Sequence, residues 1–145
     1  MGIIHHILDH AGRFPDKTAL VLDDHTLTYS ECVERTRQLS GALRAIGLNE
    51  DSRICLLLNN SLEHVIALLA AADLGATIVP MNTTISGKDL LTAIETTDID
   101  YIIGGHATLK EAFDHSQNEQ QEFPVPRERC IAVGGGVDGC HSYSN

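Results

Sequence analysis

Asn59-Asn60, Met81-Asn82-Thr83, Gly104-Gly105-His106 and Gly134-Gly135-Gly136 are clusters of the residue types from which a small-ligand site is built. Amides, a hydroxyl and an imidazole hydrogen-bond a polar molecule, and glycines let backbone N–H groups approach one closely. The same residue types also end strands for conformational reasons, so each cluster alone is weak evidence. What matters is whether the fold gathers them.

Other constellations are less complete. Gly134-x-Gly136-x-x-Gly139 has the spacing of a dinucleotide fingerprint, which would imply a nicotinamide or flavin cofactor. That chemistry needs a helix opening at the glycines and an acidic residue about 20 positions on, and only six residues follow Gly139. His6 and His10 stand one helical turn apart beside His5 and Asp9, close enough for two imidazoles to meet a metal, but no third ligand is evident. Cys140-His141, with Ser142 and Ser144, offers nucleophiles without a spacing signature. Phosphate-loop, nucleophile-elbow and His-Glu-x-x-His motifs do not occur. The residues therefore name no catalytic group and no metal ligand set.

The elements that must position these clusters follow from periodicity. Residues 3 to 11 read as an amphipathic helix on Ile4, Ile7, Leu8 and Ala11, stopped by Gly12 and Pro15. Thr18–Leu22 and Thr26–Tyr29, joined by Asp23-Asp24-His25, predict a small hairpin. Thr28-x-x-Glu31 is a capping box, so a helix follows, with Leu39, Ala42, Leu43 and Ile46 as its stripe and Gly47 as its end. Ile54–Leu58, Thr77–Val79, Asp100–Ile103 and Cys130–Val133 are short apolar runs suited to strands buried on both faces. Helices are expected after Ser61 and after a second capping box, Ser86-x-x-Asp89. Gly75 leaves room for tight packing before the second of these strands. Asp114–Glu128, polar and with two prolines, reads as an exposed connection.

Those strand starts lie 23, 23 and 30 residues apart, room for a crossover each time. The expectation is an α/β fold: a doubly wound, mostly parallel sheet flanked by helices, with a small N-terminal hairpin, all within one domain, 1–145. The clusters named first then share the carboxyl edge of that sheet, where open α/β sheets bind ligands.

Composition narrows the partners. Of 145 residues, 43% are hydrophobic and 21% charged, an ordinary globular balance. The net charge of −10 repels phosphate backbones and anionic lipid, and 4% aromatics without Trp give few stacking platforms, so nucleic acid is not an expected partner. The longest apolar run, Val65–Ala72, is too short to cross a bilayer. No signal peptide or myristoylation pattern opens the chain, so it is expected to be cytoplasmic, with four reduced and mostly structural cysteines.

Three blocks carry a resemblance. Pro15-Asp16-Lys17-Thr18-Ala19-Leu20-Val21, then Leu27-Thr28-Tyr29-Ser30-Glu31, then Leu74-Gly75-Ala76-Thr77-Ile78-Val79-Pro80-Met81-Asn82 resemble, in order, the N-terminal part of adenylate-forming (AMP-binding) enzymes, nearest the acyl-CoA synthetases. The likeness runs from about residue 3 to about residue 140. Cys32 stands where Leu is usual, and Asp73-Leu74 where a basic residue and Ala commonly precede the glycine. Ending the third block in Pro80-Met81-Asn82 is more like a CoA ligase than the peptide-synthetase branch, which tends to end it in Asp.

The resemblance implies a two-step ligase reaction. A carboxylate attacks the α-phosphate of ATP to give an acyl-adenylate, and CoA then displaces AMP, with Mg²⁺ screening the phosphates. It also implies that the family's phosphate loop, nucleotide contacts, acyl pocket and catalytic lysine lie downstream of the matching blocks. No catalytic residue carries over, and this piece is expected to be inactive alone. Because the loop after the third block lies near CoA in related ligases, Met81, Asn82 and Thr83 are the candidate cofactor-binding residues. Self-association through exposed apolar surface is expected of an incomplete piece. The alternative is a non-catalytic binding or assembly module reusing the fold.

Overall fold

The Thr28 hydroxyl accepts from the Glu31 backbone N–H and the Glu31 carboxylate accepts from the Thr28 N–H, both at 3.1 Å, so the helix begins where the capping box places it. In the computed structural model, which describes residues 2–143, the elements run α1 (Ile3–Arg13), β1 (Thr18–Leu22), β2 (His25–Thr28), α2 (Tyr29–Ala45), β3 (Arg53–Leu57), α3 (Leu62–Asp73), β4 (Thr77–Pro80), α4 (Gly87–Thr96), β5 (Tyr101–Gly105), α5 (His106–Asn118), a 3-10 turn (Arg127–Arg129), β6 (Cys130–Val133) and β7 (His141–Tyr143).

The hydrogen bonds that form the cap hold the Glu31 carboxyl below the usual carboxylate range, with the Thr28 backbone N–H contributing most. A group with a depressed folded pKa stabilises above its unfolded pKa, and that stability is lost as pH falls through the folded value. Glu31→Gln is therefore expected to be less stable than the parent at neutral pH, with the gap closing in acid below the folded pKa. Urea unfolding of both proteins across that range checks it.

Two compact units divide the chain. One takes the chain up to Asp51 together with Asn60–Thr77; the other takes Ser52–Asn59 and Ile78 onward. In the first, α1, α2 and α3 pack on one another and the antiparallel β1–β2 hairpin lies against α2. Leu39 and Leu43 are buried on α2 as expected, but the stripe is completed by Cys32, Thr36 and Ser40, while Ala42 faces outward. Ser61 caps α3 through the His64 N–H, at 3.1 Å.

In the second unit the described residues form a sheet in the order β4-β3-β5-β6-β7, with β3–β5, β5–β6 and β6–β7 all parallel. Successive strands leave β3 in both directions, the doubly wound arrangement. Both alternating sets on β3, Ile54 with Leu56 and Cys55 with Leu57, are wholly buried. One face makes a core with α4 and α5 through Leu90, Ile94, Leu109 and Phe113. Asp100 fixes the β3–β5 register at its start: its carboxylate accepts from Arg53 N–H at 2.8 Å while its own N–H donates to Arg53 O at 2.9 Å.

Five expectations need correction. Helix α1 runs through Gly12 to Arg13. Ser86 forms no capping box, because Gly87 after it is left-handed (φ +57°) and displaces the serine from the helical register. Asp114–Glu128 is not one exposed connection: its first part finishes α5, Ser116 is buried, and Phe123 stacks edge-on against Phe113. His141–Tyr143 form β7, a strand beyond the four expected in the sheet. Gly75 is there for its left-handed conformation (φ +73°) rather than for tight packing, since an added Cβ would meet Glu50 no closer than 3.4 Å.

That left-handed residue is a recurring device. Gly47, Gly75, Asp98 and Gln120 follow α2, α3, α4 and α5 with positive φ, and each is bracketed by the paired backbone hydrogen bonds of a Schellman ending, such as Gly75 N–H to Ala72 O and Ala76 N–H to Ala71 O.

Candidate functional site

The carboxyl ends of β3 and β4 are neighbours on one edge of the sheet, beside the β3–β5 point where the strand order reverses. Met81 N–H donates to Leu56 O at 3.0 Å, carrying the β3–β4 pairing one residue past β4. Asn82 then turns the chain: its Oδ1 accepts from Thr84 N–H at 2.9 Å and its backbone carbonyl from Ile85 N–H at 3.1 Å. Thr83 Oγ1 donates to Asn59 Oδ1 at 2.6 Å, tying the loop after β4 to the loop after β3. Of the three residues singled out from the sequence, Met81 packs partly against the core, Asn82 shapes the turn and Thr83 joins Asn59. Asn82 and Asn59 remain exposed, so the amide edge of this loop pair faces outward.

The next two strand ends form a second cluster along the same edge. His106 opens α5, and its imidazole lies over the glycines that follow β6. A Cβ on Gly135 would sit 2.9 Å from His106 Cγ, and Gly134 is left-handed (φ +86°). The glycines thus serve an imidazole and a turn. The loop continues into strand β7 rather than a helix, so the fingerprint lacks the helix N-terminus under which a pyrophosphate would rest.

The remaining sequence candidates are separate. His10 Nδ1 lies 3.1 Å from His6 O and its ring tilts against Tyr29, 5.4 Å between centroids. Among the described residues no group of three or more His, Cys, Asp or Glu is placed to hold a metal ion. His141 Nε2 lies 2.9 Å from Glu128 O, while Cys140 turns partly into the core. Ser144 lies outside the described residues. Burial pushes the Cys55 and Cys130 thiols up to about 12 and raises Cys32 as well; Cys55 and Cys32 behave as apolar side chains.

A feature the sequence did not disclose is a polar groove at the start of α4, lined by Ser86, Gly87, Lys110, Glu111, Asp114 and His115. Its mixed charge favours no single ligand sign. Most of its lining comes from α5, a helix that the polar composition of residues 114–118 conceals in the sequence.

Comparison with known proteins gives concordant findings. A family model described as AMP-binding enzyme matches residues 7–138. Tyrocidine synthase 3 of Brevibacillus parabrevis is 38% identical over 76 residues, 52% of this chain and 1% of that protein. The 2-succinylbenzoate–CoA ligase of Bacillus licheniformis is 38% identical over 72 residues, 50% of this chain and 15% of that protein. In structure, a variant of coronafacic acid ligase from Pectobacterium brasiliense superposes with a TM-score of 0.85 at 16% identity, covering 99% of this chain and 28% of that one. The chain thus spans less than a third of each protein it matches here.

Proposed function

Because the chain belongs to the AMP-binding enzyme family, we propose that it is the N-terminal α/β part of an ATP-dependent acid–thiol ligase, nearest the acyl-CoA synthetases. Enzymes of this family use ATP and Mg²⁺ and act on small carboxylates. The whole reaction joins the carboxylate to AMP with release of pyrophosphate, then replaces AMP by a thiol. In this reading the thiol is CoA.

The observation that carries the reading is the ending of β4. Pro80-Met81-Asn82 leaves the sheet at its carboxyl edge, and Thr83 braces that loop against Asn59 at the end of β3, the strand that borders the strand-order reversal. We assign Met81, Asn82 and Thr83 to the border of the CoA path, with the Asn82 turn holding the loop's shape. Carboxylate activation belongs to the rest of the larger ligase. Self-association through exposed Ile3, Phe14 and Val21 is part of the same proposal for the segment by itself.

Peptide-forming branches of the family deserve a second reading, because synthases of tyrocidine and gramicidin match at 38% identity. Both readings share the adenylation step and differ in the thiol that follows.

The test uses the polypeptide carrying this segment as its native cells make it, isolated with an antibody to the segment, alongside the 145-residue chain itself. The native polypeptide is expected to be several-fold longer, to catalyse carboxylate-dependent ATP–pyrophosphate exchange, and to yield a CoA thioester. The 145-residue chain is expected to show no exchange. Exchange without CoA thioester would favour the peptide-forming branch. A native product of this length without exchange would overturn the ligase reading in favour of a binding module.

A further inference from the structure

Cys130 opens β6 and Cys140 immediately precedes β7. Ile131 stands in register with His141 on this parallel pair, so one residue back the register sets Cys130 beside Cys140. Parallel neighbours are about 4.8 Å apart with in-register side chains on one face, and disulfides span Cα separations of about 4.4–6.8 Å. Both side chains meet the same core cluster, where the Cys130 thiol donates to Pro126 O at 3.5 Å. The chain between them is the glycine loop that lies against His106.

We propose that Cys130 and Cys140 are a peroxide-oxidisable pair, whose intrachain disulfide clips β7 to β6 and closes the Gly134–Gly139 loop into a ring. Cys140 reacts first. It is only partly buried, whereas Cys130 is fully buried. Burial raises both thiols, but at Cys140 the Arg127 guanidinium favours the thiolate. Arg127 is held there by its stack on Phe113, 4.1 Å from the ring centroid, and by an Nη1 hydrogen bond to Asp138 O at 2.8 Å.

The Cys140 thiolate attacks one oxygen of hydrogen peroxide, the O–O bond breaks, and the departing hydroxide takes up the thiol proton as water. This leaves a sulfenic acid at Cys140. The Cys130 sulfur then attacks the Cys140 sulfur; the S–S bond forms, the S–O bond breaks, and the hydroxyl leaves with the Cys130 proton as a second water. Two electrons pass from the sulfurs to the peroxide. The register favours the pair, because a sulfenic acid at Cys140 forms beside its resolving thiol.

The experiment exposes the folded 145-residue chain to hydrogen peroxide, blocks remaining thiols with iodoacetamide, and digests with trypsin without reduction. No Lys or Arg lies between Cys130 and Asn145, so one peptide carries both cysteines. That peptide is expected to be lighter by two hydrogens, unalkylated, and alkylated twice after reduction. In Cys130→Ser the link is expected to vanish, and dimedone should trap a sulfenic acid at Cys140. If Cys130→Ser does not fold, Cys140→Ser replaces it, with loss of the link expected. Alkylation of both cysteines after peroxide, a sulfinic acid at Cys140 beside an alkylated Cys130, or a disulfide to a second chain would each overturn the proposal.

Discussion

Leu57→Ala is expected to destabilise the chain by about 3–4 kcal/mol, the range for emptying a well-packed leucine site. Leu57 is fully buried, ends β3, and sits in the cluster formed with Leu90, Ile94, Leu109 and Phe113. Strands on both sides hold β3 in place, so the surrounding chain has little freedom to collapse into the space left. In urea the midpoint should fall while the m-value stays the same, since the surface exposed on unfolding hardly changes. Val21→Ala is the comparison: at 67% exposed, it should move stability by no more than about 0.5 kcal/mol. A loss below about 1 kcal/mol for Leu57→Ala would mean that the β3 core is looser than its burial indicates. Leu57 also lies two residues before Asn59, so the same truncation should loosen the Asn59–Thr83 bridge.

The β3–β6 scaffold was legible because its causes are local or periodic. Ile54–Leu57, Ile102, Ile103, Ile131 and Ala132 form short apolar runs, and such runs have few alternatives to a doubly buried strand. Thr28 with Glu31, and Ser61, announce helices by side-chain chemistry that acts over three residues. What stayed hidden depends on partners distant in sequence. β7 has only three residues and is a strand because β6 offers it an edge. The C-terminal half of α5 is polar by composition, yet Phe113 and Ser116 are buried, one of them by contact with Phe123. Ser86 fits the capping-box spacing, but the spacing is silent about the left-handed Gly87 that breaks the geometry. At the candidate site, the sequence supplied the four strand ends and the fold placed them on one edge. The Thr83–Asn59 bond and the His106–Gly135 contact link residues 24 and 29 positions apart, and no local pattern encodes them.

Gly104→Ala is expected to destabilise by about 2 kcal/mol, although alanine in place of glycine in a strand with room for it would stabilise by up to about 1 kcal/mol. The sign is decided by space. Gly104 pairs with Leu57 on one side and Ala132 on the other, and its added Cβ would stand 3.1 Å from Leu109 Cγ and 3.4 Å from Leu57 O. The carbonyl belongs to a paired strand and cannot retreat, so Leu109, itself fully buried, must give way. Shortening that neighbour should relieve the strain, and the double variant Gly104→Ala, Leu109→Val should lose at least about 1 kcal/mol less than the two single losses combined. Additive losses would show that the crowding at Gly104 is absorbed elsewhere. Leu109 lies one turn into α5 and His106 begins it, so a displaced Leu109 tilts the end of the helix that carries the imidazole over Gly134 and Gly135. The ring protons of His106 should therefore shift in Gly104→Ala and return toward the parent position in the double variant, making the missing side chain at Gly104 part of what sets the shape of the glycine loop.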